Sequence, residues 1–213
     1  MGLFGIGQKK KKQKQFNQAV ELYNAGNIDQ AFSLFDSLSR SGIVEARYYC
    51  GLICEKKNDM YGAVDEYDSA VYYGYENAKE PFERALKKLE EMDPYLAGTV
   101  YRRKKDYTHA VELMTKAASQ DNVRAQRECV KIFQEGKIVP KDLSKVFYWN
   151  KKLAEKGDED AQYECAKMYH EGIAVEKDMQ KALYWYKKAA QNGQIDASLY
   201  LDEEMIDYED GTW

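Results

Sequence analysis

The chain is poor in residues that interrupt helices and in residues that carry chemistry. Only three prolines stand among 213 residues. Each proline fixes φ and removes a backbone donor, so their scarcity argues against a loop-rich or extended fold. With two histidines and four cysteines there is little from which to build a metal centre. No HExxH, G-x-S-x-G, S-x-x-K or phosphate-cradling glycine loop occurs. No apolar run approaches the roughly 18–20 residues of a membrane span. The net charge of −4 denies the chain the basic field that wholesale nucleic-acid binding needs. The opening "MGLFGIG" is too short in its apolar part for a secretory signal, and Ile6 stands where a myristoylation signal has Ser or Thr. What the chain does have is 44% hydrophobic residues, enough for a core, with Ala, Leu, Lys, Glu and Tyr prominent. The expectation is a cytoplasmic all-α protein.

Self-similarity organises the rest. "DLSKVFYWNKKLAEKG" (142–157) and "DMQKALYWYKKAAQNG" (178–193) lie 36 residues apart and share eight of sixteen positions. "RAQRECVKIFQEG" (124–136) and "DAQYECAKMYHEG" (160–172) repeat at the same distance. A small residue in the first turn of each second helix, Ala31, Ala63, Ala110, Val146 or Ala182, is followed eleven residues on by Gly42, Gly74, Asp121, Gly157 or Gly193. Fifteen residues on come Ala46, Ala78, Ala125, Ala161 and Ala197. Glycine after a helix suits the left-handed cap, and alanine allows the next helix close approach. Each unit therefore reads helix A, turn, helix B, tight turn. The turn inside units four and five, "EGKIVPKD" and "EGIAVEKD", is four residues longer than in unit two. Unit three begins near Pro94 and Gly98. Residues 78–92 are left over as an extra helix between units two and three, either a decayed half-repeat or an inserted brace.

Lysines interleaved with aromatics invite a nucleic-acid reading, which the helical period removes. Trp185, Tyr186 and Ala189 fall at +3, +4 and +7 from Ala182, a single stripe. Lys187 and Lys188 point away from it, as do Lys151 and Lys152 from Trp149 and Leu153. Stacking on bases needs aromatics and cations on one face. The stripe is core, and Tyr148 and Tyr184, at +2, are expected at the surface.

Residues 161–193 resemble the Sel1-like repeat through Ala161, Tyr169, Gly172, Val175, Asp178, Lys181, Ala182, Trp185, Tyr186, Lys188, Ala189, Ala190 and Gly193. Cys165, Ala166 and Ala174 depart from its pattern, and unit four has Asn150 for a tyrosine. Units one to three, with "GNIDQA", "KNDMYGA" and "KKDYTHA", are closer to tetratricopeptide repeats. The resemblance implies a right-handed α-solenoid of about five helix-turn-helix repeats, closed by a C-terminal capping helix, that acts as a non-catalytic scaffold. The expected organisation is a disordered basic tail over 1–14, the solenoid over 15–207 and an acidic tail over 208–213.

Cys50, Cys129 and Cys165 each lie four residues after a helix A alanine and Cys54 lies eight after, which are core slots where cysteine acts as a small apolar residue. Cysteine-rich secreted relatives, credited with β-lactam binding, pair a helix A cysteine with one in helix B. Helix B here has none, which favours a reducing compartment and makes a hydrolase-like activity a remote alternative. Neither His109 nor His170 has a partner constellation, and no cofactor or metal is expected. By the tetratricopeptide alignment, the concave face of helix A would carry Tyr48, Leu52, Glu55, Arg127, Lys131, Gln134, Tyr163, Lys167 and His170 as a groove for a protein or peptide, in particular an acidic one. A competing expectation is an adaptor tethered to anionic lipid by Leu3, Phe4, Ile6 and the cations Lys9, Lys10, Lys11, Lys12 and Lys14.

Overall fold

The computed structural model describes residues 3–209, with side chains from 7 to 202. Twelve α-helices follow one another: α1 (Leu3–Asn24), α2 (Ile28–Arg40), α3 (Val44–Lys56), α4 (Met60–Tyr72), α5 (Lys79–Met92), α6 (Pro94–Arg103), α7 (Tyr107–Ser119), α8 (Val123–Glu135), α9 (Leu143–Glu155), α10 (Glu159–Glu171), α11 (Met179–Gln191) and α12 (Ile195–Glu209). Among the described residues there is no strand. The chain divides into two compact bodies, Met1–Ala97 and Gly98–Trp213. In the first, α1 to α5 pack each on the next; in the second, α7 to α12 do the same. Nearest-neighbour packing is what a helical repeat requires, since one helix pair cannot bury both of its apolar faces.

The helix ends follow from local chemistry. Asp59, Asp106, Asp142 and Asp178 cap the four later B helices, their carboxylates accepting the backbone N–H of Gly62, His109, Lys145 and Lys181. After the B helices, Gly42, Gly74, Gly157 and Gly193 adopt φ of +92 to +100°. Asp121 fills the same slot at φ +67°, a left-handed conformation unusual for a residue with a side chain. In the longer turns of units four and five, the N–H groups of Asp142 and Asp178 donate to the carbonyls of Phe133 and Tyr169, so both insertions close on their own helix A.

The expected stripe is the core. Trp149, Leu153, Trp185, Tyr186 and Ala189 are buried, while Tyr148 and Tyr184 are each 51% exposed. All four cysteines are buried and unbridged. Burial pushes the thiols of Cys54 and Cys129 up to about 11 and that of Cys165 up to about 12. Cys50 is raised too, by burial first and then by the nearby carboxylates of Glu66 and Asp36.

The leftover segment is now explained. Ala78, Phe82 and Leu86 of the α5 region occupy the slots held by Ala46, Cys50 and Cys54 in α3, and all six are buried. The segment is thus a helix A without its helix B, packed on α4. α12 plays the same part beyond α11, with Ala197 buried and Leu201 packed on the same core as Trp185; Met205 lies outside the described side chains.

One expectation is corrected. Lys9, Lys10, Lys11, Lys12 and Lys14 do not lie in a disordered tail over 1–14; they are part of α1, which runs from Leu3. Lysine and glutamine are good helix formers, and a helix nucleated where Phe16 and Ala19 pack extends through them at low cost. The side chains of Leu3, Phe4 and Ile6 lie outside the described residues. Likewise α12 carries its backbone to Glu209, past the expected start of the acidic tail at 208, and residues 210–213 lie outside the described ones.

Candidate functional site

The nine groove residues fall in different surroundings. Three are on α3, in the first body. Tyr48 is half-buried, its ring against those of Tyr49, Tyr67 and Tyr75 at 5.5–5.9 Å. Glu55 accepts the Tyr67 hydroxyl at 2.9 Å and the Arg84 guanidinium at 3.0 Å. Leu52 is also half-buried. Tyr48 and Glu55 are thus engaged by side chains of the same body. Tyr67 is enclosed completely, and burial together with its bond to Glu55 raises its phenol far above the ordinary range.

The remaining six are on α8 and α10, in the second body. Arg127, Lys131 and Gln134 form one wall of a cleft of about 320 Å³ whose opposite side includes Glu159, Asp160 and Glu164. Val130, Asn150 and Leu153 lie at its floor. Arg127 is not free: its Nε and Nη2 both donate to Asp158 Oδ2, at 3.0 and 2.7 Å. Lys167 pairs with Glu164 at 3.5 Å and lies 5.4 Å over the ring of Tyr163. His170 is half-buried against the rings of Tyr186 and Tyr200. Lys131, Gln134, Glu159 and Asp160 are exposed or half-exposed and have no partner among the described residues.

The sequence reading missed the charge of this cleft. It counted only the outward face of helix A and so saw cations. The N-cap and first turn of α10 bring Asp158, Glu159 and Asp160 to the same place, where acids also complement the helix dipole. With Glu164, four carboxylates share the lining with two cations, Arg127 and Lys131.

Two further features lay outside the reading. Gln126 and Gln162 are almost fully enclosed, at 1% and 2% exposure. Each donates its amide to a carbonyl in the last turn of the preceding helix B, Ala118 or Ala154, at 3.0 Å. Their oxygens accept from Lys156 Nζ at 3.2 Å and Asn192 Nδ2 at 2.9 Å, so each glutamine ties two B helices to one A helix. Both stand one residue after the helix A alanine, 36 apart, a repeated signal that could have identified them. A second, more apolar cleft lies between α7 and the 136–142 turn, lined by Val111, Thr115, Phe133, Val139 and Pro140. Val111 stands where the next unit has Phe147, whose ring sits 5.3 Å from that of Tyr169. Among the described residues no group of three or more His, Cys, Asp or Glu is placed to hold a metal ion, and no helix is long and apolar enough to cross a membrane.

Comparison with known proteins agrees with these repeats. The profile of the Sel1 repeat matches residues 95–122, 129–158 and 159–194. These stretches correspond to α6–α7, most of α8–α9, and α10–α11, so the Sel1 profile also matches unit three, grouped above with the tetratricopeptide-like units. No curated protein matches the chain. A solved Sel1 repeat protein from Oxalobacter formigenes is similar at 25% identity over 81% of this chain and 48% of its own, with a TM-score of 0.48. The protective antigen c5321 of uropathogenic Escherichia coli is 22% identical over 89% of this chain and 48% of its own, with a TM-score of 0.43. YrrB, a tetratricopeptide protein described as having an unusual peptide-binding site, is 18% identical over 95% and 98% of the two chains, with a TM-score of 0.37. The chain thus spans about half the length of the first two. The fold is all-α helical repeat, and repeats of this kind generally mediate protein–protein interaction.

Proposed function

We propose that the protein is a non-catalytic scaffold that binds an extended peptide of mixed charge in the cleft between α8 and α10. The observation that carries this reading is the set of polar groups there that no other described residue engages: Lys131, Gln134, Glu159 and Asp160. A carboxylate on the peptide pairs with Lys131, and a cation pairs with Glu159 and Asp160 across the cleft. Gln134 carries both a donor and an acceptor and suits a peptide backbone. Tyr163, with Lys167 over its ring, offers a flat apolar surface further along α10. Arg127 acts indirectly, holding Asp158 and so the start of α10. The acidic-peptide preference read from the sequence is replaced here by a two-signed one. The placement of all four thiols within packed helices supports a reducing, cytoplasmic setting.

The test is to select peptides from a random displayed library on the full chain and measure their affinity for charge-reversed variants. Lys131→Glu and the pair Glu159→Lys with Asp160→Lys are each expected to weaken the selected peptides at least tenfold. Tyr148→Ala with Tyr184→Ala, on the outer faces of the B helices, should leave them unchanged. Peptides that bind all variants alike would refute the assignment.

A further inference from the structure

We infer that the first half of α1 is a docking surface for anionic membrane. The inference is separate from the peptide cleft: it concerns another element, another partner and another set of charges. Residues 1–20 contain five lysines and no acid, the first carboxylate being Glu21. Of the chain's 32 cations and 36 anions, 27 and 36 remain in residues 21–213, a net −9 there against +5 before it. So steep an asymmetry sets one positive segment against an acidic remainder.

The structure shows how that segment is presented. Phe16 packs against Phe35 and Tyr49, with ring centroids at 5.6 Å in both cases. One turn earlier Lys12 Nζ donates to the carbonyl of Ser41, the C-cap of α2, at 2.6 Å. α1 is thus fixed to the body as far as Lys12. Residues 7–11 are exposed, and the helix N-terminal to Lys12 runs past the end of α2, roughly 13 Å for residues 3–11 at about 1.5 Å per residue. With Lys12 and Phe16 marking the packed side, Lys10, Lys11 and Lys14 share an arc of about 100° on the opposite side, and Lys9 lies beyond the end of α2. Lys9, Lys10, Lys11 and Lys14 are exposed and pair with no carboxylate among the described residues. Four exposed ammonium groups along one helix, unpaired among the described residues, match a surface of fixed negative charge better than a compact acidic ligand, which would need converging donors. The sequence places Leu3, Phe4 and Ile6 at the outer end of the same helix, a second, apolar contribution of the kind that stable peripheral attachment needs.

Flotation of the full chain with phosphatidylcholine vesicles, with and without phosphatidylserine, tests this. Binding is expected only with phosphatidylserine and should fall as salt rises from about 0.1 to 0.5 M. Changing Lys9, Lys10, Lys11 and Lys14 together to Gln should reduce partitioning by roughly fivefold per lysine, several-hundred-fold in all. Its melting curve should be unchanged, because none of these side chains is bonded. A control with the same charge change, Lys151, Lys152, Lys187 and Lys188 to Gln, should bind as the parent does. Equal binding to both vesicle types, equal loss in the control, or no binding at about 0.1 M salt would overturn the inference. Retention on heparin without vesicle binding would also overturn it, reassigning the helix to soluble polyanions. Peptide capture by the α8–α10 cleft should survive the α1 substitutions, so each proposal fails on its own.

Discussion

Gly51 lies directly under a buried ring in the first body, and replacing it by alanine would test the packing directly. A Cβ at Gly51 would stand 2.5, 2.6 and 2.9 Å from Cε1, Cδ1 and Cζ of Tyr67. The ring cannot yield cheaply. Tyr67 is fully enclosed, its hydroxyl is held by Glu55, and Glu55 is held in turn by Arg84. Overpacking a core by one methyl costs about 1–3 kcal/mol. Displacing the ring also weakens a hydrogen bond to a charged acceptor, worth about 1.5–3 kcal/mol. Against these stands a gain of about 1 kcal/mol, since alanine is the better helix former. The net expectation is a loss of about 2 kcal/mol. Urea denaturation followed by far-ultraviolet circular dichroism should show the midpoint falling by about 1 M at a slope of about 2 kcal/mol/M. In a Tyr67→Ala background the same Gly51→Ala change should be neutral or stabilising, because the ring is gone; the cycle isolates the contact. An unchanged or raised midpoint for Gly51→Ala alone would refute the close approach.

Gln162→Ala should destabilise the second body by about 1–2 kcal/mol, because it removes the hydrogen bonds that Gln162 donates to the Ala154 carbonyl and accepts from the Asn192 amide at a nearly enclosed position, and thermal melting should show it. Lys187→Gln, on the wet face of α11, is the neutral comparison. The four thiols should resist a disulfide reagent at pH 8 in the native protein and react together once it is unfolded in denaturant. Burial holds them protonated well above that pH, and prompt native labelling would contradict the packing. The Asp178 carboxyl is held below its ordinary value by the Lys181 ammonium and then by the backbone N–H of Lys181. Its contribution to stability is present above the unfolded value near about 4 and is lost as pH falls through the lower folded value. Asp178→Asn keeps the cap and removes the charge, so melting temperature measured from pH 5 downward should fall less steeply than in the parent.

The repeat units, their caps and their core stripe were legible because they recur at fixed spacing and each recurrence has a local cause. Gly42, Gly74, Gly157 and Gly193 need a left-handed backbone, and Trp149 and Trp185 fall on the apolar arc. The segment 78–92 was countable but not interpretable until Phe82 and Leu86 proved to fill the cysteine slots. The cleft was half legible. Its α8 wall follows from helix phase, but its α10 rim comes from first-turn residues that belong to no outward stripe. Arg127 and Glu55 looked available because side-chain pairing between elements, 31 and 29 residues apart for Arg127–Asp158 and Arg84–Glu55, leaves no mark in a local pattern. The lysine run was read as tail because charge was weighed and helix propagation from Phe16 was not.

Gly51 under Tyr67 has an equivalent in Gly98, where an added Cβ would lie 3.1 Å from Met114. At the corresponding places the later units have Val130 with Asn150 and Ala166 with Tyr186. Bulk on helix B is matched to what helix A leaves open, differently in each unit. Similar as they look, the modules are therefore not interchangeable helix by helix. A recombination that breaks between helix A and helix B would set Val130 against a tyrosine ring or glycine against asparagine. One that breaks in the tight turns at Gly42, Gly74, Asp121, Gly157 or Gly193 would carry each matched pair intact. Those turns are the joints at which such an array can gain or lose a unit and still fold.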